Sequence, residues 1–273
     1  MLKKIIYKTK FLFFFLQIFW TLKYFFKIFF LSKDYYFLLT KSQFNDRENI
    51  FIKSLSHYIE SKNFVEIGYH YRELNCVGLI QNNFSGKVVD ADMGDRFNSY
   101  IMKKIIKITK KKIKVIKRFV DLDNMSDIFD MKNLGCLSID IDGNEYWALE
   151  KMLSKDIIPE VIITEYNASF LDNEITVPYD KNFNIHKKHS SLWYHGASLC
   201  AFDKLLNKYQ YVLVKVIGGT NAIFVQETLS KKADLKKRLP SEIYEECESR
   251  NKKGKNTARD QFNRIKHLPL VNV

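Results

Sequence analysis

From about residue 49 onward, short apolar runs alternate with stretches of helical periodicity. The runs are four to eight residues long, which suits strands buried on both faces of a sheet. They cover residues 64–67, 87–91, 113–116, 137–141, 161–164, 211–216 and 222–225. Gly218-Gly219-Thr220-Asn221 separates the last two runs, so these predict an antiparallel hairpin.

Strands that alternate with helices are typical of a parallel sheet covered by helices on both faces. We therefore predict an α/β fold, a Rossmann-like three-layer sandwich with a mainly parallel sheet and a terminal antiparallel hairpin. Gly 10 and Pro 4 among 273 residues exclude collagen-like and Pro/Gly-rich disordered chains. The four cysteines are scattered and lack the paired spacing of a zinc site, which favours a reducing, cytoplasmic setting.

Residues 11–31 are apolar and long enough to cross a bilayer, which takes roughly 20 residues. Lys23 and Lys27 interrupt this segment, and a lysine near the bilayer centre costs on the order of 2.5–3.5 kcal/mol. On a helical wheel both lysines lie in one polar arc of about 160°, opposite a face rich in Phe. Residues 1–33 are therefore predicted to form an amphipathic hydrophobic helix in the membrane interface.

Two alternatives for this segment stay open, a single transmembrane span and an ordinary buried amphipathic helix. A secretory signal peptide is disfavoured because bulky residues stand where a cleavage site needs small ones. The expected location is the cytoplasmic face of the inner membrane, with a peripheral or monotopic attachment. Residues 1–33 also carry seven lysines and no acid, so part of the net charge of +13 is a terminal feature.

The chain divides into residues 1–33, an α/β domain over 34–230, and a charged tail over 231–273. The tail is expected to be partly helical, with a helix over 242–250 following Pro240, and to lie at the periphery of the core. Residues 103–118 hold nine cations in sixteen positions and predict a helix that leads into the third strand. Because no aromatic stacking pattern accompanies this charge, a solvated helix is the favoured interpretation, and a phospholipid surface, a diphosphate-linked glycan carrier and nucleic acid are the alternatives. Together with the amino-terminal helix, the charge favours a membrane surface as the partner over nucleic acid.

Ligands of open parallel sheets bind outside the carboxyl ends of the strands, so polar residues there are informative. The first strand holds Glu66 and is followed by Gly68, which would let a cofactor approach the next helix. No further glycine follows in residues 69–72, so a simple turn glycine is the alternative. After the second strand, either Asp90 or Asp92 could hold a ribose diol, while the other caps the next turn.

The fourth strand is the most informative, because Asp140 and Asp142 interrupt its apolar run. Strand periodicity would place both on the face opposite Ile139 and Ile141, and buried carboxylates must be paired, protonated or bound to a ligand. Glu165 and Asn167 end the fifth strand in the same way. If the two strands are neighbours, Asp142, Glu165 and Asn167 could bind Mg²⁺ or Mn²⁺, and a metal-free carboxylate cluster is the alternative.

Five motifs together carry a family resemblance. They are LSIDIDGNEYW (137–147), IITEYNASF (162–170), VPYD (177–180), YHGASL (194–199) and GGTNAIFV (218–225). In this order and spacing, the chain resembles methyltransferase-like proteins of the FkbM group over residues 60 to 228. Many of these are bacterial proteins of cell-surface polysaccharide biosynthesis. The resemblance implies a class I fold that uses S-adenosylmethionine.

By this resemblance, Glu66 and Gly68 stand at the first cofactor motif, and Asp90 or Asp92 supplies the ribose acid. Asp142 is the carboxylate of the catalytic face, and we count Asp140 among the cofactor-binding residues and Glu165 among the catalytic ones. Methyl transfer to a sugar hydroxyl needs a base.

The candidates for this base are His195, then His186 and His189, then Asp142. The expected function is O-methylation of a cell-surface saccharide or lipid-linked glycan at the membrane. Two alternatives remain, a metal-dependent glycosyltransferase with Asp-x-Asp motifs and a non-catalytic membrane-associated protein that retains the fold.

Overall fold

The computed structural model describes residues 47–93, 95–129 and 133–273. The predicted interfacial helix over residues 1–33 lies outside them. The described strands are β1 (Asn63–Ile67), β2 (Ser85–Asp90), β3 (Ile113–Lys117), β4 (Cys136–Ile139), β5 (Val161–Glu165), β6 (Ile175–Thr176), β7 (Tyr211–Ile217), β8 (Asn221–Gln226) and β9 (Val271–Asn272).

The described helices alternate with these strands. They are α1 (Arg47–Leu55), α2 (Val77–Gln81), α3 (Asn98–Thr109), α4 (Glu145–Leu153), α5 (Ile185–Lys188), α6 (Leu199–Asn207), α7 (Glu227–Lys232), α8 (Pro240–Ile243), α9 (Glu248–Gly254) and α10 (Ala258–Ile265). Two short 3₁₀ helices cover Met125–Ile128 and Ala168–Phe170. None of the helices in the described ranges is long and apolar enough to cross a membrane.

Seven strands form one sheet in the order β3-β2-β1-β4-β5-β8-β7. The five strands from β3 to β5 are parallel, and β8 is antiparallel to both β5 and β7. All seven predicted strands are present, so the predicted fold class is confirmed. The strand boundaries differ from the predicted ones by up to two residues, and β4 ends at Ile139 instead of residue 141.

Alternating strand residues face two separate cores, which is why the protein has three layers. Phe64 and Val161 pack with α1, α2 and α3 on one face, while Val65 and Ile162 pack with α4 and α6 on the other. Since both faces of the sheet are covered, most residues of its central strands are apolar.

The C-terminal residues pack against the body of the protein, which corrects the predicted peripheral tail. β9 pairs with β6, and Ile265 of α10 is fully buried in a third apolar cluster with Phe170 and Trp193. The predicted helix over 242–250 is also wrong. Tyr244 ends α8 in an extended conformation, and α9 begins only at Glu248.

Candidate functional site

A cavity of about 920 Å³ opens at the carboxyl ends of β1, β2, β4 and β5. Gly68, Asp90, Asp140, Asp142 and Glu165 line it, so five of the predicted site residues share one wall. This is the edge of the sheet where the strand order reverses between β1 and β4. Ligands of open α/β sheets bind at such a point.

The residue at position 68 must be glycine, because the loops that follow β1 and β4 lie close together there. Its φ is +81°, and a Cβ atom there would lie 1.4 Å from the carbonyl oxygen of Asp140. Its N–H donates to the carbonyl of Val89 at 2.8 Å. Packing between the β1 and β4 loops therefore explains this glycine, while its neighbours His70 and Arg72 line the cavity.

Glu66 is 2% exposed and shapes the loop that follows β1, and it is not among the residues that line the cavity. Its two carboxyl oxygens accept from the backbone N–H groups of Asn75 and Cys76, at 2.8 and 3.0 Å. Burial raises the pKa of Glu66 to about 7, and these backbone hydrogen bonds oppose the shift. Glu66 would therefore affect cofactor binding only indirectly, by fixing the position of the 68–76 loop.

The two acids after β2 have different environments. Asp90 lines the cavity, and burial raises its pKa above the ordinary value. Asp92 points elsewhere, since its carboxylate accepts from the N–H and the hydroxyl of Ser99 and lies 3.1 Å from the Nζ of Lys117. Of the two predicted ribose acids, the structure brings only Asp90 to the cavity.

Asp140 and Asp142 follow β4, so strand alternation does not position them. Asp142 has a left-handed φ of +58° and turns the chain, and both aspartates line the cavity. The turn is held by Glu145, whose Oε1 accepts from the N–H groups of Ile141 at 2.8 Å and Gly143 at 2.9 Å. Sequence reasoning missed Glu145, although a Glu just after Gly143-Asn144 at a helix start was a usable signal.

Protonation differs across this acidic cluster. Burial, followed by the charge of Glu165, raises the pKa of Asp140 well above its usual range. Burial also raises the pKa of Asp142, and Arg250 and His186 oppose that shift. Asp140 therefore holds its proton more strongly than an exposed aspartate does.

Arg250 of α9 enters this cluster from the C-terminal segment. Its Nη2 donates to Glu165 Oε1 at 2.7 Å and lies 3.1 Å from His195 Nε2. His195 is 2% exposed, and burial followed by Arg250 lowers its pKa well below the ordinary value. The ring is therefore neutral and accepts from Arg250 through Nε2.

These contacts correct the predicted base, because His195 is not among the cavity-lining residues and its Nε2 is already engaged. His186 does line the cavity, whereas His189 bonds to Ser191. Sequence reasoning also missed Arg250. It lies 85 positions from Glu165, and no local pattern connects them.

The predicted metal trio is not assembled. The side-chain amide of Asn167 donates to the carbonyls of Trp193 and His195, and its oxygen accepts from the N–H of Ser169. Asp140, Glu145 and Glu165 do offer oxygens within 4.8 Å of one another. However, Glu145 Oε1 already accepts two backbone N–H groups, and Arg250 already supplies a cation to Glu165. The predicted Mg²⁺ or Mn²⁺ site of Asp142, Glu165 and Asn167 is therefore not supported, because both ends of the Asn167 amide are engaged by backbone groups.

No protein-family model matches the chain, and no curated protein matches it. Several solved structures are similar in fold. The methyltransferase domain of bacterial CtHen1-C is 14% identical, with a TM-score of 0.41, and the match covers 66% of this chain and 97% of that one. An O-methyltransferase from Bacillus cereus in complex with SAH is 15% identical, with a TM-score of 0.41 and coverage of 73% and 89%.

Cofactor-bound Rv0187 from MTB is 10% identical, with a TM-score of 0.41 and the same coverage of 73% and 89%. At these identities and scores the likeness carries no argument about activity. What the chain does is therefore inferred from its own strand order, motifs and cavity. The resemblance to the FkbM group stays a prediction from the motifs.

Proposed function

We propose that this protein is an S-adenosylmethionine-dependent methyltransferase. The observation that carries the proposal is the cavity at the strand-order reversal, with Asp90 at the end of β2 and Gly68 after β1 on its wall. A carboxylate at the end of the second strand is suited to a ribose diol, since one carboxylate can accept two hydroxyl hydrogen bonds. The antiparallel β8 between β5 and β7 gives the strand order of the class I fold that the motifs imply.

The residues present fit this cofactor. A volume of about 920 Å³ is sufficient for a nucleoside joined to an amino acid. Asp90 would hold the ribose, and the 68–75 loop would face the amino-acid part, with Arg72 able to meet its carboxylate. When bound, S-adenosylmethionine supplies a methyl group activated by its sulfonium.

Asp142 is the best-placed base for a hydroxyl acceptor. It is open to the cavity, and its raised pKa makes it a stronger proton acceptor than an ordinary aspartate. Asn144 and Asn221 line the same space, where Asn144 is hydrogen-bonded to the backbone of Asp180. Glu165 is already bound to Arg250, so its role would be to keep the cluster ordered.

We further propose that the acceptor is an oxygen of a saccharide or lipid-linked glycan in a bacterial cell-surface polysaccharide pathway. The motif resemblance supports this acceptor class. The apolar segment 11–31 supports attachment to the cytoplasmic face of the inner membrane through residues 1–33.

A metal-dependent glycosyltransferase is the second candidate, because Asp140 and Asp142 both reach the cavity. Asp92, in contrast, is bound to Ser99 and Lys117, so only one acid of the Asp90-Ala91-Asp92 motif lines the cavity. A non-catalytic protein is the third, and the glycine-poor loop after Gly68 favours it.

One titration separates these candidates. The detergent-solubilised full chain is titrated with S-adenosylhomocysteine and with uridine diphosphate, each with and without Mn²⁺, while its melting temperature is followed. We expect stabilisation by S-adenosylhomocysteine alone, independent of Mn²⁺. A Mn²⁺-dependent shift with the diphosphate would favour glycosyl transfer, and no shift with either ligand would favour the non-catalytic protein.

The matched variants for this titration are Asp90→Asn and Asp156→Asn. Asp156 is exposed, lies outside the cavity and has a left-handed φ of +58°, a conformation that Asn tolerates. We expect Asp90→Asn to weaken S-adenosylhomocysteine binding about 10- to 30-fold, because two charge-assisted hydrogen bonds are lost, and Asp156→Asn to leave it unchanged. Equal affinities for the two variants would contradict the ribose assignment.

A further inference from the structure

One edge of the molecule is strongly basic. No Asp or Glu occurs from residue 96 to residue 120, a stretch that includes α3 and the sheet's edge strand β3. We call the exposed lysines of this stretch, apart from Lys117, which pairs with Asp92, the basic edge. They are Lys103, Lys104, Lys107, Lys110, Lys112 and Lys114.

The helix α3 has a buried apolar face and an outward face that carries its lysines. Ile101, Met102 and Ile105 are buried against the sheet. Tyr100, Lys103, Lys104, Lys107 and Ile108 fall within an outward arc of about 140° on the same helix. Three lysines of the basic edge thus lie on one outward face of α3, and the other three follow between α3 and β3 and on β3.

Its charge is not compensated locally. Two neighbouring cations have partners, since Lys117 pairs with Asp92 and Arg118 pairs with Asp127. The six lysines of the basic edge have no ion-pair partner within the part of the chain that the structure describes. Their field therefore extends into solvent, where it attracts anionic surfaces.

Large apolar side chains are exposed on the same surface. Tyr100 is 51%, Ile108 47% and Phe119 40% exposed. The Nζ of Lys104 lies 5.4 Å from the centroid of the Tyr100 ring. Lysines that flank exposed aromatic and aliphatic groups are typical of proteins that bind the headgroup region of a bilayer.

The basic edge also leads to the mouth of the cavity. Arg118 and Phe119 follow β3 and line the cavity, and Met93, 66% exposed, lines it beside them. A smaller groove of about 540 Å³ adjoins the mouth, and its charged lining residues are Lys117, Arg118 and Lys187. A surface bound to the basic edge would therefore lie next to the entrance of the site.

We propose that the basic edge is a second membrane-binding surface, which docks on anionic lipid headgroups and turns the cavity mouth toward the bilayer. It acts separately from residues 1–33, and its action does not depend on methyl transfer. Charge complementarity identifies the partner, and the exposed Tyr100, Ile108 and Phe119 favour a bilayer over a purely polar polyanion.

The test is vesicle flotation of the full chain. Vesicles of phosphatidylcholine alone are compared with vesicles in which roughly one third of the lipid is phosphatidylglycerol. Lys103→Gln/Lys104→Gln/Lys107→Gln removes three charges from α3. The control Lys208→Gln/Lys236→Gln/Lys266→Gln removes three exposed charges outside the basic edge.

One lysine near an anionic surface is worth about fivefold in affinity, so the α3 variant should bind the anionic vesicles at least about tenfold more weakly than the wild type. The control should stay within about threefold, and neither variant should change binding to neutral vesicles, which reports on residues 1–33. S-adenosylhomocysteine binding should be unchanged in both, so failure of this proposal is distinguishable from failure of the proposed function.

Three results would overturn the proposal. The first is an equal loss of vesicle binding in the α3 variant and the control. The second is tighter binding of a single-stranded oligonucleotide than of anionic vesicles. The third is aggregation of the α3 variant with vesicle binding retained, which would show that the lysines only protect the sheet edge. If the α3 variant does not fold, Lys112→Gln/Lys114→Gln, just before and within β3, removes two other charges of the basic edge and is judged by the same criteria.

Discussion

Two Asp-x-Asp sequences stand at the ends of two strands of the sheet, and their second acids differ in position relative to the cavity. In Asp90-Ala91-Asp92 and in Asp140-Ile141-Asp142, the first acid lines the cavity and the second has a left-handed φ, +57° and +58° respectively. Asp92 is nevertheless 7% exposed and outside the cavity, whereas Asp142 is open to it. The backbone conformation at the second acid therefore does not determine its role.

The difference lies in the group that holds each turn. After β2, Asp90 Oδ1 itself accepts the N–H of Asp92 at 2.6 Å, and Asp92 then caps the start of α3 through Ser99. After β4, the turn is held by Glu145, whose Oε1 accepts hydrogen bonds from two backbone N–H groups. Because Glu145 holds the turn, Asp142 is left to face a ligand, while Asp140 is hydrogen-bonded to Glu165.

The largest effect is expected from Asp142→Asn. If Asp142 accepts the proton of the acceptor hydroxyl, its loss should slow transfer of a labelled methyl group from S-adenosylmethionine to cell-surface glycan about 10²- to 10⁴-fold. S-adenosylhomocysteine affinity should stay within about threefold, and Asp156→Asn serves as the control. Transfer at the wild-type rate would eliminate Asp142 as the base.

The free energy of unfolding should depend more on Asp92 than on Asp142, the opposite of the order expected for activity. Asp92→Ala removes a helix cap and a buried ion-pair partner, so it should lower the free energy of unfolding by about 2–3 kcal/mol more than Asp142→Ala does. Both positions have positive φ, so the strain that Ala introduces is common to the pair. Urea denaturation measures the difference, and equal losses would refute the division between a structural and a functional acid.

Glu145→Gln tests the group that holds the second turn. Burial, with the charge of Glu165, raises the pKa of Glu145 to about 8, so the folded protein retains a proton that the unfolded chain releases near 4.5. The stabilisation from this group is complete below pH 4.5 and is lost as the pH rises toward 8.

The Gln side chain does not titrate, and its oxygen can still accept the N–H groups of Ile141 and Gly143. Between pH 5 and 8 the variant should lose stability less steeply, by at most about 1.4 kcal/mol per pH unit. Urea denaturation at several pH values gives both slopes. Identical slopes would mean that Glu145 is ionised in the folded protein.

Strands could be predicted because the relevant signal is local. Each apolar run is short and complete in itself, so the seven strands of the large sheet follow from periodicity alone. The placement of Asp90, Asp140, Asp142 and Glu165 at the cavity also follows, because the carboxyl ends of parallel strands share one edge.

The rest of the site depends on contacts between distant residues. Arg250 reaches Glu165 only because the C-terminal segment folds back, where the hydroxyl of Tyr166 donates to the carbonyl of Glu245. Glu245 lies in the extended stretch between α8 and α9, which interrupts the predicted helix over 242–250. The sequence around His195 does not indicate that its ring is engaged, because the partner, Arg250, lies far away in the chain.

The smallest effect is expected from Lys117→Gln. Lys117 lies 3.1 Å from Asp92, but its side chain is 57% exposed, so solvent screens the pair. The hydrogen bonds from Ser99 to Asp92 remain, and the free energy of unfolding should fall by about 0.5 kcal/mol. A loss above about 2 kcal/mol in urea denaturation would show that Lys117, not the cap on α3, keeps Asp92 out of the cavity. The two Asp-x-Asp turns would then differ through a charge pair and not through the residues that hydrogen-bond them.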